Sequence, residues 1–154
     1  MDSSMDKVLT VIVPVYNMEK YIRQCLESLV IGEVLDRIEV LVVLEGSKDG
    51  SAEIAYEFVE QYPDTLRIIY KANGGHGSAI NTGLMMASGE YVKILDSDDW
   101  VDWNAYQAIL AKLREIAGGS VALDMLLANY VYEKEGAKHK RVMRQTGFLK
   151  DQIF

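Results

Sequence analysis

The sequence predicts an α/β domain built around a largely parallel sheet, and three features predict it. Four short apolar runs rich in β-branched residues read as buried strands. Each is followed by a segment whose apolar residues recur at helical spacing. Between them lie turn-rich stretches such as "EGSKDGS" and "NGGHG". Strand and helix alternating in this way form a parallel sheet covered by helices on both faces.

The elements follow in order. Residues 8–15 form a continuous apolar strand. Asn17 is placed as an N-cap for a helix carrying Tyr21, Ile22, Cys25, Leu26 and Leu29, with Tyr21 on its buried stripe. Ile38–Leu44 is the second strand. Ser51 is suited to cap the next helix, which carries Ile54, Ala55, Phe58, Val59 and Tyr62 and stops before Pro63. Leu66–Tyr70 is the third strand. The glycine-dense loop at 73–77 leads into a helix with Ile80, Leu84 and Ala87, and Gly89 is placed as its C-terminal cap. Residues 91–95 form the fourth strand. A helix with Tyr106, Ile109, Leu110, Leu113 and Ile116 then ends at Gly118 and Gly119. Residues 123–132 and 141–145 read as two further strands around the turn "EKEGAK".

Composition narrows the function. The chain of 154 residues is one domain by length, and its hydrophobic share of 49% is enough for a real core. A net charge of −7 argues against a nucleic-acid binder, which needs a basic face. The basic stretch "KHKRVMR" at 138–144 reads as a solvated strand or hairpin. The single cysteine, Cys25, allows no internal disulfide and reads as a small buried residue in a reducing compartment. The apolar runs are too short to span a bilayer, and the first residues carry no signal-peptide pattern. A soluble, cytoplasmic domain is therefore expected. Because "GFLKDQIF" closes the chain with no stop signal, truncation of a longer protein is also expected.

In an open parallel sheet, ligands bind at the carboxyl ends of the strands. The first strand delivers Pro14, Val15, Tyr16, Asn17 and Glu19 there. The second delivers Glu45, Gly46 and Ser47, and the third Asn73, Gly74, Gly75 and His76. The fourth delivers Asp96, Ser97, Asp98 and Asp99. Carboxylates crowded at one strand end suit a hard divalent cation with oxygen ligands, which turns an acidic cluster into an anion site. The plainer alternative makes them turn and cap residues, and Asp99 fits that role. "GGHGSA" matches neither a dinucleotide nor a Walker fingerprint; it is either a close-approach loop before a helix N-terminus or a flexible turn. His76 touches a phosphate or sugar, or lies exposed. Tyr16 can pack against a nucleobase, and Lys93, odd in a buried strand, receives no role.

Taken together, "VIVPVYNMEKYIRQCLESL", "EVLVVLEGSKDGS" and "NGGHGSAINTGLMMASGEYVKILDSDDW" resemble the family 2 glycosyltransferases over roughly residues 8 to 104. The resemblance implies a GT-A fold, a Rossmann-like three-layer α/β/α sandwich, spanning 1–154 as a single donor-binding domain. It implies an inverting enzyme that uses a nucleotide-diphosphate sugar, most often a uridine one, in surface polysaccharide or glycan biosynthesis. Pro14, Val15, Tyr16 and Asn17 then cradle base and ribose, with Glu19 just beyond. Leu44 and Glu45 stand where the family has two acids; Glu45 can still accept a hydrogen bond from the base. Asn73, Gly74 and Gly75 form the family's glycine loop, and Ile80 stands where the family often has arginine. In the Asp96-Ser97-Asp98 motif, Asp98 holds Mn²⁺ or Mg²⁺ on the diphosphate and Asp96 faces the ribose side.

The implied acceptor is a glycan or lipid-linked glycan, reached at the inner face of the membrane through parts outside this chain; a homodimer is admitted. The family's carboxylate general base comes later in the chain. Asp124, Glu133, Glu135 and Asp151 are available, none in a recognisable context, and the base is unassigned. Three other readings compete. A nucleotide-sugar-binding module without turnover is favoured by the unassigned base and by Leu44. A phosphatase with an aspartate nucleophile needs its motif after the first strand. A nucleotidyltransferase needs a glycine- and basic-rich loop there.

Overall fold

The computed structural model describes residues 7–120, 124–132 and 140–143. The chain forms two compact units, Met1–Gly118 and Gly119–Phe154.

The first unit is built on four parallel strands: β1 (Leu9–Val15), β2 (Ile38–Leu44), β3 (Leu66–Tyr70) and β4 (Tyr91–Ile94). Their order across the sheet is β3-β2-β1-β4, so β1 and β2 are central. Burial on both faces explains why these two read as unbroken apolar runs: every residue of β1 is buried. The single hydroxyl inside β1 is satisfied, because Thr10 Oγ1 donates to Glu39 Oε1 and accepts from the N–H of Gly89.

Helices cover the two faces unequally. On one side lie α1 (Ile22–Leu29), α2 (Ser51–Gln61) and α4 (Trp103–Ala117). Cys25, Leu26, Ala55, Phe58 and Leu110 pack there with Val11, Val13, Val40 and Val42. On the other side α3 (His76–Met86) packs on β1 and β2, with Ala79 against Ile12, Leu41, Val43 and Ile69. This is the expected three-layer arrangement. Val92 and Ile94 pair in register with Thr10 and Ile12 on the α3 side, yet they remain exposed because α3 sits over the central strands.

Four local expectations are corrected. Asn17 does not cap α1; the helix starts four residues beyond Met18 with Tyr21 as its N-cap. Asn17 instead adopts a left-handed backbone at φ 51°, and its side chain accepts from the N–H of Lys48. Tyr21 accordingly lies 37% exposed, with the Lys20 ammonium over its ring. Gly89 is not a C-terminal cap, since Ala87 ends α3 in an extended conformation. Gly89 is required for another reason: a Cβ there would come within 2.5 Å of the Thr10 backbone nitrogen. Ser51 opens α2 as its first residue, after Gly50 as N-cap.

In the second unit, β5 (Tyr130–Tyr132) pairs antiparallel with β6 (Arg141–Met143). The strand expected over 123–132 is therefore short, because only its last three residues have a described ladder partner. Residue 123, the turn at 133–138 and the end of the strand expected at 141–145 lie outside the described residues, as do residues 138, 139 and 144 of the basic stretch. Among the described residues no helix is long and apolar enough to cross a membrane.

Candidate active site

Four loops meet at the carboxyl edge of the first unit's sheet. Together they line a cavity of about 410 Å³. Its walls are Pro14, Val15, Tyr16 and Met18 from β1, Glu45 from β2, Asn73, Gly75 and His76 from the glycine loop, and Asp96, Ser97 and Asp98 after β4.

The β1 and β2 loops are fastened to each other. Ser47 Oγ accepts from the N–H of Asn17, and Ser51 Oγ accepts from the N–H of Met18. Asp49 Oδ2 accepts from the N–H of Glu19, while its Oδ1 accepts from both the N–H and the hydroxyl of Ser51. Desolvation pushes the Asp49 carboxyl up, but these hydrogen bonds outweigh it and hold the group below its ordinary value. The segment after β1 thus has its turn geometry supplied by side chains from about thirty residues away, which satisfies backbone groups that no strand or helix reaches.

Glu45 lines the cavity although the residue is only 4% exposed. The N–H of Gly74 approaches its Oε1 at 3.5 Å. Gly75, at φ 89°, takes a backbone conformation that glycine accepts without strain, and Asn73 Oδ1 accepts from its N–H. That turn starts α3 with no side-chain cap, so His76 becomes the helix's first residue and faces the acid loop.

After β4 the chain folds into a tight turn, with the Asp99 N–H donating to the Asp96 carbonyl at 2.9 Å. Helix α1 supports it from below. The Cys25 thiol lies 3.8 Å from the Asp96 carbonyl, and Ser28 Oγ accepts from the N–H of Val101. Asp96, Asp98 and Asp99 are all exposed, and one carboxylate oxygen from each lies within 4.8 Å of the others. Partial burial and the neighbouring Asp98 and Asp96 push the Asp99 carboxyl above its ordinary value, with Lys93 acting the opposite way. Burial first, then the same three aspartates, push the Cys25 thiol up to about 12. Crowded, solvent-facing carboxylate oxygens are the donor set a hard divalent cation takes, so the residues present fit Mn²⁺ or Mg²⁺.

Most of the residues expected at the site line this cavity: Pro14, Val15, Tyr16, Glu45, Asn73, Gly75, Asp96, Ser97 and Asp98. Three do not. Asn17 is turned to Lys48, the Glu19 carboxylate lies over Gly50, and Gly74 is exposed beside the lining residues Asn73 and Gly75. Asp99 closes the turn as expected, but its carboxylate also joins the cluster. Two further residues line the cavity: His76, expected either to touch a phosphate or sugar or to lie exposed, and Met18, for which the sequence carries no signal. Asp124 is exposed in the second unit, while Glu133, Glu135 and Asp151 lie outside the described residues.

A parallel sheet with this loop content at its carboxyl edge defines an α/β protein of the GT-A class. The chain belongs to glycosyl transferase family 2, whose family model matches residues 10–150. Among curated relatives it is 38% identical over 150 residues to the glycosyltransferase GlyA of Streptococcus pneumoniae serotype 4, covering 95% of this chain and 20% of GlyA. Among solved structures it is similar to the mannosyltransferase PcManGT from Pyrobaculum calidifontis in complex with GDP-Man and Mn²⁺ (32% identity, TM-score 0.60, 71% of this chain and 33% of that one). It is also similar to S. aureus TarS 1–349 in complex with UDP-GlcNAc (29% identity, TM-score 0.58, 79% of this chain and 39% of that one). The chain therefore spans well under half the length of these proteins.

Proposed function

We propose that this chain is the donor-binding part of an inverting, metal-dependent glycosyltransferase using a nucleotide-diphosphate sugar, with a uridine donor as first choice. The observation that carries the proposal is the cluster of Asp96, Asp98 and Asp99 at the mouth of a cavity that also holds Glu45 and the glycine loop. Relatives with GDP-Man, UDP-GlcNAc and Mn²⁺ in their structures support the ligand class.

Each residue then has a task. Tyr16, 43% exposed on the cavity wall, stacks against the base. The buried Glu45 carboxylate accepts an N–H from the base edge, which a uracil imide or a guanine can supply. Asn73 and Gly75 bring the backbone close to the diphosphate at the start of α3. Asp98 holds the cation, with Asp96 beside it toward the ribose. A bound divalent cation neutralises charge on the departing nucleoside diphosphate. The acceptor, a glycan or lipid-linked glycan hydroxyl, attacks the anomeric carbon from the opposite face and gives its proton to a carboxylate base not identified among the described residues.

Calorimetric titration of UDP and GDP with and without Mn²⁺ tests the donor site. UDP binding that is independent of Mn²⁺, or unchanged by Asp98→Ala, overturns it. A second reading, a binding module without turnover, is favoured by Leu44 at a position where the family has an acid. Donor hydrolysis or transfer by the full-length protein with Mn²⁺ would exclude that reading.

A further inference from the structure

We propose that His76 is a positioning residue that aims the Asp96 carboxylate at the cation and ribose. The inference rests on the donor-site reading above. It starts from how Asp96 is held. Its main chain is fixed, because its carbonyl takes the Asp99 N–H at 2.9 Å and meets the Cys25 thiol at 3.8 Å. Its side chain is not fixed by the turn; the carboxylate is 51% exposed. The group that meets it comes from the opposite loop, with His76 Nε2 lying 3.3 Å from Asp96 Oδ1.

The imidazole is itself well placed for this. Gly75 at φ 89° turns the chain so that His76 begins α3, and the helix then holds its backbone. Only two side-chain torsions remain to move the ring. An N–H that engages Oδ1 leaves Oδ2 turned away from the ring and available to a ligand. Groups that hold a ligating carboxylate by its second oxygen usually matter for affinity, by roughly 10–100-fold. They act by removing rotamer freedom that binding would otherwise have to freeze. The pair also ties the glycine loop to the acid loop, the two segments between which a diphosphate would lie. An exposed surface pair with no such role would contribute almost nothing.

The test is calorimetric titration of UDP and of uridine in Mn²⁺ at one fixed pH. The proteins are wild type, His76→Ala, His76→Gln, Asp96→Ala and the His76→Ala/Asp96→Ala double variant. Because His76 is 61% exposed, its variants should keep the wild-type melting temperature. His76→Ala should weaken UDP binding by about 10-fold, the low end for such partners because this pair is exposed. Uridine, which keeps the ribose but lacks the diphosphate that brings the cation, should lose less than UDP does. His76→Gln, which retains an N–H donor at a similar reach, should recover most of the loss. In the Asp96→Ala background, His76→Ala should have little further effect. UDP affinity unchanged in His76→Ala, or an equal loss in both backgrounds, overturns the inference while leaving the donor site standing. Wild-type UDP binding that ignores Mn²⁺ overturns the donor-site reading and this inference together.

Discussion

The loops after β1 and β2 face the same cavity as the loops after β3 and β4, but they are held in different ways. On the first wall, Ser47, Asp49 and Ser51 accept the N–H groups of Asn17, Met18 and Glu19, and the polar side chains are consumed in shaping the turn. On the second wall, Asp96, Asp98 and Asp99 stand exposed and close together, with an imidazole beside them. The first wall spends Ser47, Asp49 and Ser51 on stabilising the fold and leaves Tyr16 and Glu45 on the cavity. The other leaves charged groups facing solvent, at a small cost in repulsion. The difference separates scaffold from ligand-binding surface more clearly than residue type does, since both walls contain aspartate.

Substitutions on the two walls should therefore part company. The largest effect belongs to Asp98→Ala, which should weaken UDP binding in Mn²⁺ by more than about 100-fold, beyond what loss of an outer partner costs. Its melting temperature should hold or rise. Binding retained, or a marked loss of stability, breaks the comparison.

Ser51→Ala should do the reverse. Its hydroxyl is fully buried, takes the Met18 N–H at 2.9 Å and meets Asp49 Oδ1 at 2.6 Å. Stranding those partners should cost about 1–3 kcal/mol, a fall in Tm of about 5 °C by thermal melt. UDP affinity, measured well below the melt, should change by less than about threefold.

A smaller effect is expected for Asp99→Asn without metal. The Asp99 carboxyl is raised in the folded chain, so the folded state holds its proton more tightly than the unfolded one. Stability from this group is therefore lost as pH rises through the carboxylate range. Asp99→Asn should melt slightly above wild type at pH 7, and the difference should shrink toward pH 4. A variant that melts lower at pH 7 contradicts the cost of burying a charged Asp99 beside Asp98 and Asp96.

The smallest effect is no reaction at all. The Cys25 thiol is inaccessible and pushed up to about 12, so iodoacetamide at pH 8 should leave the native chain unlabelled and modify it after denaturation. Labelling of the native protein would show that the acid loop does not stay seated on α1.

Much of this was legible from the chain. Ile38–Leu44 and Leu66–Tyr70 have the expected bounds, because buried parallel strands are continuous apolar runs ended by turn residues. The strand-end aspartates were legible for the same reason, since the boundary between apolar run and polar turn marks the carboxyl edge. Asn17 and Gly89 were misread. A local rule made one an N-cap and the other a C-cap, whereas contacts with Lys48 and Thr10, far along the chain, set their roles. Glu19 and Gly74 sit in the expected loops but outside the cavity lining, a matter of side-chain direction that spacing does not encode.

By itself, then, the sequence determined the alternation of strands and helices, the loops that reach one sheet edge and the carboxylates carried there. Those properties are local: hydrophobic period, turn chemistry and charge are written within a few residues of one another. Only the tertiary structure decided which polar groups would be spent as clamps and which would remain open. Whether Asp49 meets Glu19, or Asp96 meets His76, depends on where the sheet order β3-β2-β1-β4 sets the ends of strands whose loops are about twenty to thirty residues apart in the chain. Hydrogen bonds and ion pairs act over a few ångströms, and packing of the sheet alone brings those partners within reach.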